Sequence, residues 1–429
     1  MTDVNRLLNP VVESSERILK TSAVAAVNVF DYRRGRMYIN LYCQSESTTL
    51  YRMQYLYRNG TTPTSPTWKA TPILDLSESP ALNTPLAAVV HVNKSYTPFV
   101  HLFYVDRERY IREVMWIRGV MGYEGRVEGA GRVMRGSRLG VCRWWREGRD
   151  GVEEVYIRLF YQSETGQLQE HRGVFVYPTS TTSPPTSPSY ADNTISASGS
   201  GSARTTILNI KTTWSPGPIL NFPQSPPLQG TDLAFITPDP THHNTVGYFQ
   251  TTTGEIKQLT FDGKSWKISS DFTLSLPSGY SVLLGTGMAA AVVNIRGSRQ
   301  ARLFYVGIDE RDTERRVVMK TVVSPAPYSY NYSYTSTVNA EENCNYSYGY
   351  INSEGNSFAG KVVSGGKVEG AGRIAAIQTD AGFYAWVGGG RGMVELVSPE
   401  TRGEPFGEEG GKYARRVGVE GVEASWGDD

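Results

Sequence analysis

The sequence is poor in the groups from which disulfide scaffolds, metal centres and membrane spans are made. Its three cysteines, Cys43, Cys142 and Cys344, are far apart and odd in number. They form neither a paired framework nor a metal knuckle, and they read as isolated thiols. Histidine numbers five. The adjacent His242 and His243 lack further clustered ligands, so no metal and no cofactor is expected. No apolar run reaches the roughly 18 residues of a spanning helix, which predicts no membrane insertion. Residues 1–20 alternate charged and apolar positions without an apolar core. That pattern predicts no secretory signal, and hence a cytoplasmic protein or one exported by another route. Neither sign of charge dominates, with 43 Lys and Arg against 42 Asp and Glu. The arginines between Arg107 and Arg149 are interleaved with glutamates, so nucleic acid is not an expected partner. G-x-S-x-G, H-E-x-x-H and P-loop motifs are absent, as are the repeated boxes of sialidase propellers, and no enzyme is expected.

What the sequence has is glycine, proline and aromatic residues: 44 Gly, 23 Pro, 26 Tyr and 8 Trp. These favour strands and tight turns over long helices. A segment of small apolar residues, opened by a hydroxyl residue or glycine, recurs six times, starting at Ser22, Thr84, Ser137, Thr231, Thr286 and Gly372. Ten to twenty residues after each start comes a second run, usually with an aromatic pair: YINLYCQ from Tyr38, VHLFYV from Val100, YIRLFYQ from Tyr156, VGYFQ from Val246, ARLFYV from Ala301 and GFYAWV from Gly382. A polar turn and a third run follow each. A fourth, outer strand leaves little trace. Radially repeated four-stranded units with small residues at a crowded axis predict one all-β domain over residues 1–429, a six-bladed β-propeller with antiparallel blades. Two insertions interrupt the series. Residues 178–204, in blade three, are almost wholly Ser, Thr, Pro, Ala and Gly and cannot bury enough apolar area to order themselves. Residues 325–350, in blade five, are rich in Tyr, Asn and Ser, and residues 399–429 form a tail outside the pattern that is read as irregular.

Aligning the copies on the second run brings polar residues to a common offset. Arg158 is followed twelve residues later by Glu170, and His101 by Glu113. The same positions hold Asn40 and Arg52 in blade one and Val246 and Gln258 in blade four. Blade five keeps Arg302 but loses register beyond its turn. In blade six Glu395 faces Phe383 where an arginine would stand. Antiparallel neighbours joined by a short turn set such positions side by side. Taken alone, Arg158 and Glu170 would be an ordinary cross-strand ion pair.

The small-residue opening, I-R-L-F-Y-Q, then G-x-L-x-E, then an aromatic before D-G-x-x-W resembles the fungal fucose-specific lectins. That family consists of six-bladed propellers that bind sugar between blades. The resemblance implies that Arg158 and Glu170 hold the sugar hydroxyls and that Phe261 and Trp266 of the next blade supply the aromatic contact. It implies a second pocket with His101, Glu113 and Trp214, where the histidine replaces the arginine, and an incomplete one at Glu395. It further implies fucosylated glycans as partners, no catalysis and a homodimer. The alternative is a propeller whose eroded pairs have lost sugar and which serves as a protein-interaction scaffold.

Overall fold

Short alternating apolar runs can bury one face only by stacking sheet against sheet. The computed structural model describes residues 18–322, apart from short breaks and the stretches 58–67 and 178–210, and beyond them strand segments between 361 and 420. The two expected insertions therefore lie outside the described residues, as do Gly372 and Cys344. Among the described residues there is no helix, and the strands form six sheets.

Sheet one comprises Ala25–Asp31, Arg36–Gln44, Leu50–Tyr57 and Trp68–Ile73. Sheet two comprises Ala87–Val92, Pro98–Val105, Ile111–Ile117 and Val120–Arg126. In sheet three the strands are Gly140–Glu147, Glu153–Gln162, Leu168–Val176 and Thr213–Leu220. Sheet four has Ala234–Ile236, Thr245–Gln250, Ile256–Phe261 and Trp266–Ile268. Sheet five has Met288–Ile295, Ser298–Asp309, Arg315–Val322 and Lys361–Val362, with Tyr280–Val282 paired to the end of its second strand. Sheet six has Arg373–Thr379, Gly382–Gly389, Gly392–Pro399 and Ala414–Arg416.

Each sheet packs on the next. Tyr42 of sheet one shares a core with Leu102 and Trp116 of sheet two, and Phe103 and Met115 meet Ile157 and Phe175 of sheet three. Phe160 stacks on Phe235 of sheet four with ring centroids 3.6 Å apart, and Tyr248 packs with Met288 and Tyr305 of sheet five. Ala375 of sheet six joins Val24, Ile39 and Met53 of sheet one, so the end of the series returns to its beginning. An all-β propeller results, in which each sheet face is covered by its neighbours and only short outer edges remain.

The small residues of the opening segments earn their place at the axis. Ala23, Ala87, Leu139, Ala234, Ala289 and Ala375 are among those lining a central cavity of about 120 Å³. At Gly140 a β-carbon would lie 2.6 Å from the Phe235 ring, so the first strands could not approach as they do with any side chain there. The hydroxyl that opens each segment has its own task. Ser22, Thr84, Ser137, Thr231 and Thr286 each accept the backbone N–H at the end of the second strand of their own sheet, at 2.7 to 2.9 Å.

A buried glutamine then ties one sheet to the next. Gln162 donates to Gly166 O and to Leu228 O and accepts from Gly230 N. Gln44 and Gln250 repeat the arrangement with the connections entering sheets two and five. Gln162→Ala would remove three part-buried hydrogen bonds, although Leu228 O keeps its bond from Thr231 N. Urea unfolding is expected to show a loss of about 1–3 kcal/mol, because a typical hydrogen bond contributes about 1 kcal/mol net.

The fourth strands escaped the sequence because they are short or carry proline on a half-exposed edge. Pro216 and Pro218 lie within Thr213–Leu220, and the pairing of that strand slips between Gln169 and His171. The tail expected to be irregular contributes two strands. Ala414–Arg416 completes sheet six, and Val419–Glu420 pairs in parallel with Trp68 and Lys69 on the outer edge of sheet one.

Candidate functional site

Sheet three presents one face of alternating residues to sheet four. Arg158 stands directly opposite Arg172, and Glu170 stands opposite Phe160. The twelve-residue offset therefore makes Arg158 and Glu170 diagonal neighbours, one pair out from the side-by-side placement expected. Both still share a face, because strand side chains alternate with a period of two. Arg158 Nε lies 3.4 Å from Glu170 Oε1, with the two side chains only 4% and 0% exposed.

The Glu170 carboxylate is well supplied with donors. Arg172 donates through Nε to Oε1 at 3.0 Å and through Nη2 to Oε2 at 3.2 Å. Trp266 reaches across from sheet four and donates its indole N–H to Oε2 at 2.8 Å. Gly217 in the fourth strand lets the backbone lie on this carboxylate, since a β-carbon there would fall 2.9 Å from Glu170 Cβ. Arg158 is treated differently. Its Nε and Nη1 are buried without a hydrogen-bond partner among the described residues. Around its guanidinium carbon are the rings of Phe261 at 3.6 Å, Trp144 at 4.7 Å and Trp266 at 5.5 Å. Burial pulls this guanidinium below the usual arginine range, and Glu170 pulls the other way. Arg158, Glu170, Phe261 and Trp266 thus converge in one place between sheets three and four.

Two participants were missed. Arg172 and Trp144 lie on the same face of sheet three as Arg158, and the period-two alternation of their strands is the signal that could have found them. The two described cysteines are buried: burial alone pushes the Cys43 thiol up to about 12, and burial chiefly raises Cys142, to about 11. His242 pairs with Asp239 at 2.9 Å, while His243 packs edge-on against Phe261.

The second candidate set also converges, and its own groups fill it. Trp214 Nε1 donates to Glu113 Oε2 at 2.8 Å, the same contact that Trp266 makes with Glu170. Thr212 donates to Glu113 Oε1 at 2.7 Å, and His101 Nδ1 lies 2.6 Å from the same oxygen. His101 Nε2 faces His91 Nε2 at 2.8 Å, and His91 Nδ1 meets the Tyr177 hydroxyl. One assignment of protons satisfies the whole chain: Tyr177 O–H to His91, His91 Nε2–H to His101, His101 Nδ1–H to Glu113. Both imidazoles are then neutral and neither has a nitrogen to spare. His101 and Glu113 are fully buried.

Burial holds His91 well below its ordinary value of 6.5, and the charge of Arg143, with that of His101 whenever it is protonated, acts in the same direction. Unfolded, the ring takes its proton near that ordinary value; folded, it takes it much lower. In between, the unfolded state binds more protons, so stability falls as pH drops below about 6.5, by at most about 1.4 kcal/mol per pH unit. Urea unfolding at neutral and mildly acidic pH is expected to show this slope, and His91→Phe to flatten it. His171, whose proton affinity burial also lowers, leaves a residual slope of the same sign.

The remaining sheets depart from the pair. In sheet one Asn40 is opposite Gln54, whose amide donates to it at 3.0 Å, and in sheet four Gln258 donates to the Tyr248 hydroxyl at 3.1 Å. In sheet five Met319 takes the position diagonal to Arg302. Sheet six corrects the sequence alignment. Glu395 pairs with Trp386, so the arginine position belongs to Tyr384, and Phe383 falls on the opposite face. Glu395 follows its opposed residue Trp386 by nine positions, whereas Glu170 follows Phe160 by ten.

Fold and side chains together define a class: an all-β propeller with a buried arginine, a carboxylate and aromatic rings clustered between two of its sheets. No family model matches the chain. It is 28% identical over 311 residues to the fucose-specific lectin g276 of Arthrobotrys oligospora, a match covering 68% of this chain and 66%, just under two thirds, of that relative's length. Among solved structures, AofleA from Arthrobotrys oligospora aligns with a TM-score of 0.55 at 14% identity, over 90% of this chain and 84% of that one. The Aleuria aurantia lectin, a six-bladed β-propeller, aligns with a TM-score of 0.55 at 14% identity, over 96% of this chain and 100% of that one. The resemblance to fungal fucose-specific lectins is thus met in a homologue, and the propeller is shared with solved lectins.

Proposed function

We propose that this protein is a non-catalytic lectin that takes L-fucose or fucosylated glycans in the pocket between sheets three and four. The six sheets are read as the six blades of that architecture. The observation that carries the reading is Arg158. A guanidinium with two buried nitrogens that lack a hydrogen-bond partner among the described residues is costly, and neutral sugar hydroxyls would supply the missing acceptors. Aromatic rings beside it suit the methyl group and apolar edge of a 6-deoxy sugar. The name of the Arthrobotrys oligospora relative supports fucose as that sugar.

A sugar enters by displacing the Phe261 ring from the guanidinium face. Hydrolysis would need two carboxyl groups flanking one bond, and Glu170 is the single carboxylate in the described pocket, held by Arg172 and Trp266. The sheet-two set, with both imidazoles fully engaged, reads as a structural counterpart of the pocket, which brings the number of working sites below six. Calorimetric titration with methyl α-L-fucoside is the test. Saturable binding that galactose and glucose do not reproduce is expected. No binding of any fucoside would overturn the reading and favour the interaction scaffold.

A further inference from the structure

The pocket between sheets three and four carries an unbalanced positive charge. Arg158 and Arg172 are directly opposed across the two strands, and Glu170 is shared between them. Like charges in directly opposed positions disfavour a sheet, so the arrangement persists only because the carboxylate lies between them. Among the described residues no second carboxylate acts on Arg158: the charged groups beside it are Glu170 and Arg172, and burial keeps the Cys142 thiol neutral. Two guanidinium groups to one carboxylate leave the pocket one positive charge in excess.

The excess belongs to this sheet. The residue opposed to the arginine position is Gln54 in sheet one, Met115 in sheet two and Thr260 in sheet four, all uncharged. Arg172 also stands where a ligand can reach it. Its side chain is 42% exposed, whereas that of Arg158 is 4%. Nε and Nη2 hold Glu170, which leaves Nη1 without a hydrogen-bond partner among the described residues.

We propose that this pocket selects fucosylated glycans bearing an anionic group, a sulfate ester or a carboxylate, next to the fucose, and that Arg172 reads that charge. The inference rests on the lectin reading above and adds the ligand class. The fucose ring takes the buried donors of Arg158, while the anion meets Arg172 at the mouth and relieves the repulsion between the two guanidinium groups. A planar guanidinium suits both oxyanions, because its paired N–H groups match two oxygens at once.

The test is calorimetry on the full chain with three probes: methyl α-L-fucoside, the same fucoside carrying a ring sulfate, and a fucosyl-glucuronate disaccharide. At least one anionic probe is expected to bind about tenfold more tightly than the neutral one, and the better of the two identifies the source of the charge. The advantage shrinks at high salt, where exposed charges are screened beyond a few ångströms. In Arg172→Met the ratio of anionic to neutral affinity falls toward one, and in Arg172→Lys it is largely kept. Equal binding of neutral and anionic probes by the unmodified protein would overturn the proposal and leave the lectin reading standing. So would an advantage that survives high salt and Arg172→Met. Failure of every fucoside to bind would remove the lectin reading, and this proposal with it.

Discussion

Arg158→Met is expected to abolish fucose binding and to leave the melting temperature unchanged or higher. The loss follows from Nε and Nη1, two buried nitrogens with no hydrogen-bond partner among the described residues, which the sugar hydroxyls are proposed to engage. Two charge-assisted hydrogen bonds forgone amount to about 3 kcal/mol or more, a drop beyond a hundredfold. Stability moves the other way because Nε and Nη1 of Arg158 are buried without partners among the described residues and burial disfavours its charge. Glu170 does not become an orphan when Arg158 goes, since Arg172 and Trp266 still donate to both of its oxygens. Methionine preserves the packing against Phe261 without the charge, and the penalty of stranding a buried ion is avoided because Arg172 remains as the counter-charge of Glu170. Calorimetric titration and thermal melts on the same samples check the two halves together. A variant that still binds fucoside shows that the sugar lies elsewhere. One that loses stability by several kcal/mol shows that the arginine is a structural ion-pair partner.

Glu113→Ala is expected to do the reverse: to destabilise the protein by about 3–5 kcal/mol and to leave sugar affinity unchanged. The Glu113 carboxylate accepts from His101, Thr212 and Trp214 in a site without access to water. Removing it orphans three buried donors at once, and breaking a buried, hydrogen-bonded charge network costs that much. Unmet, the His101 Nδ1–H also disturbs the proton order passed on from His91 and Tyr177. Glu113→Gln retains an acceptor and shape and is expected to cost less than half as much. Denaturant midpoints separate the two variants. The contrast with Arg158→Met is the point of the pair: Glu113 and Glu170 each meet a tryptophan of the next sheet in the same way, but one set is complete and the other is left with donors to spare.

Much of this was legible before any coordinates. Six openings of small residues, each led by a hydroxyl where described, and six aromatic second strands specify the repeat, because a strand at a crowded axis tolerates little beyond alanine and glycine. The pairing of Arg158 with Glu170 and of His101 with Glu113 was legible from one offset, since turns of equal length bring equal separations to the same face. Where the separation of the opposed pair falls from ten residues to nine, as at Glu395, the same offset points to Phe383 on the wrong face, because register changes face with every single step. The fourth strands were illegible for a different reason. An edge strand pairs on one side only, admits proline, and owes its position to its neighbour more than to its own pattern.

The sequence by itself determined the all-β propeller class and the cluster of Arg158, Glu170, Phe261 and Trp266. These depend on local patterning and on spacing within a single repeat. Only the tertiary structure decided which donors in those clusters are spent and which remain. That balance depends on partners distant in the chain: His91 and Tyr177 complete the set at Glu113, while Arg172, in direct register with Arg158, adds a charge that Glu170 alone cannot offset. Hydrogen-bond satisfaction is a property of a closed volume, and no repeat closes that volume without its neighbour.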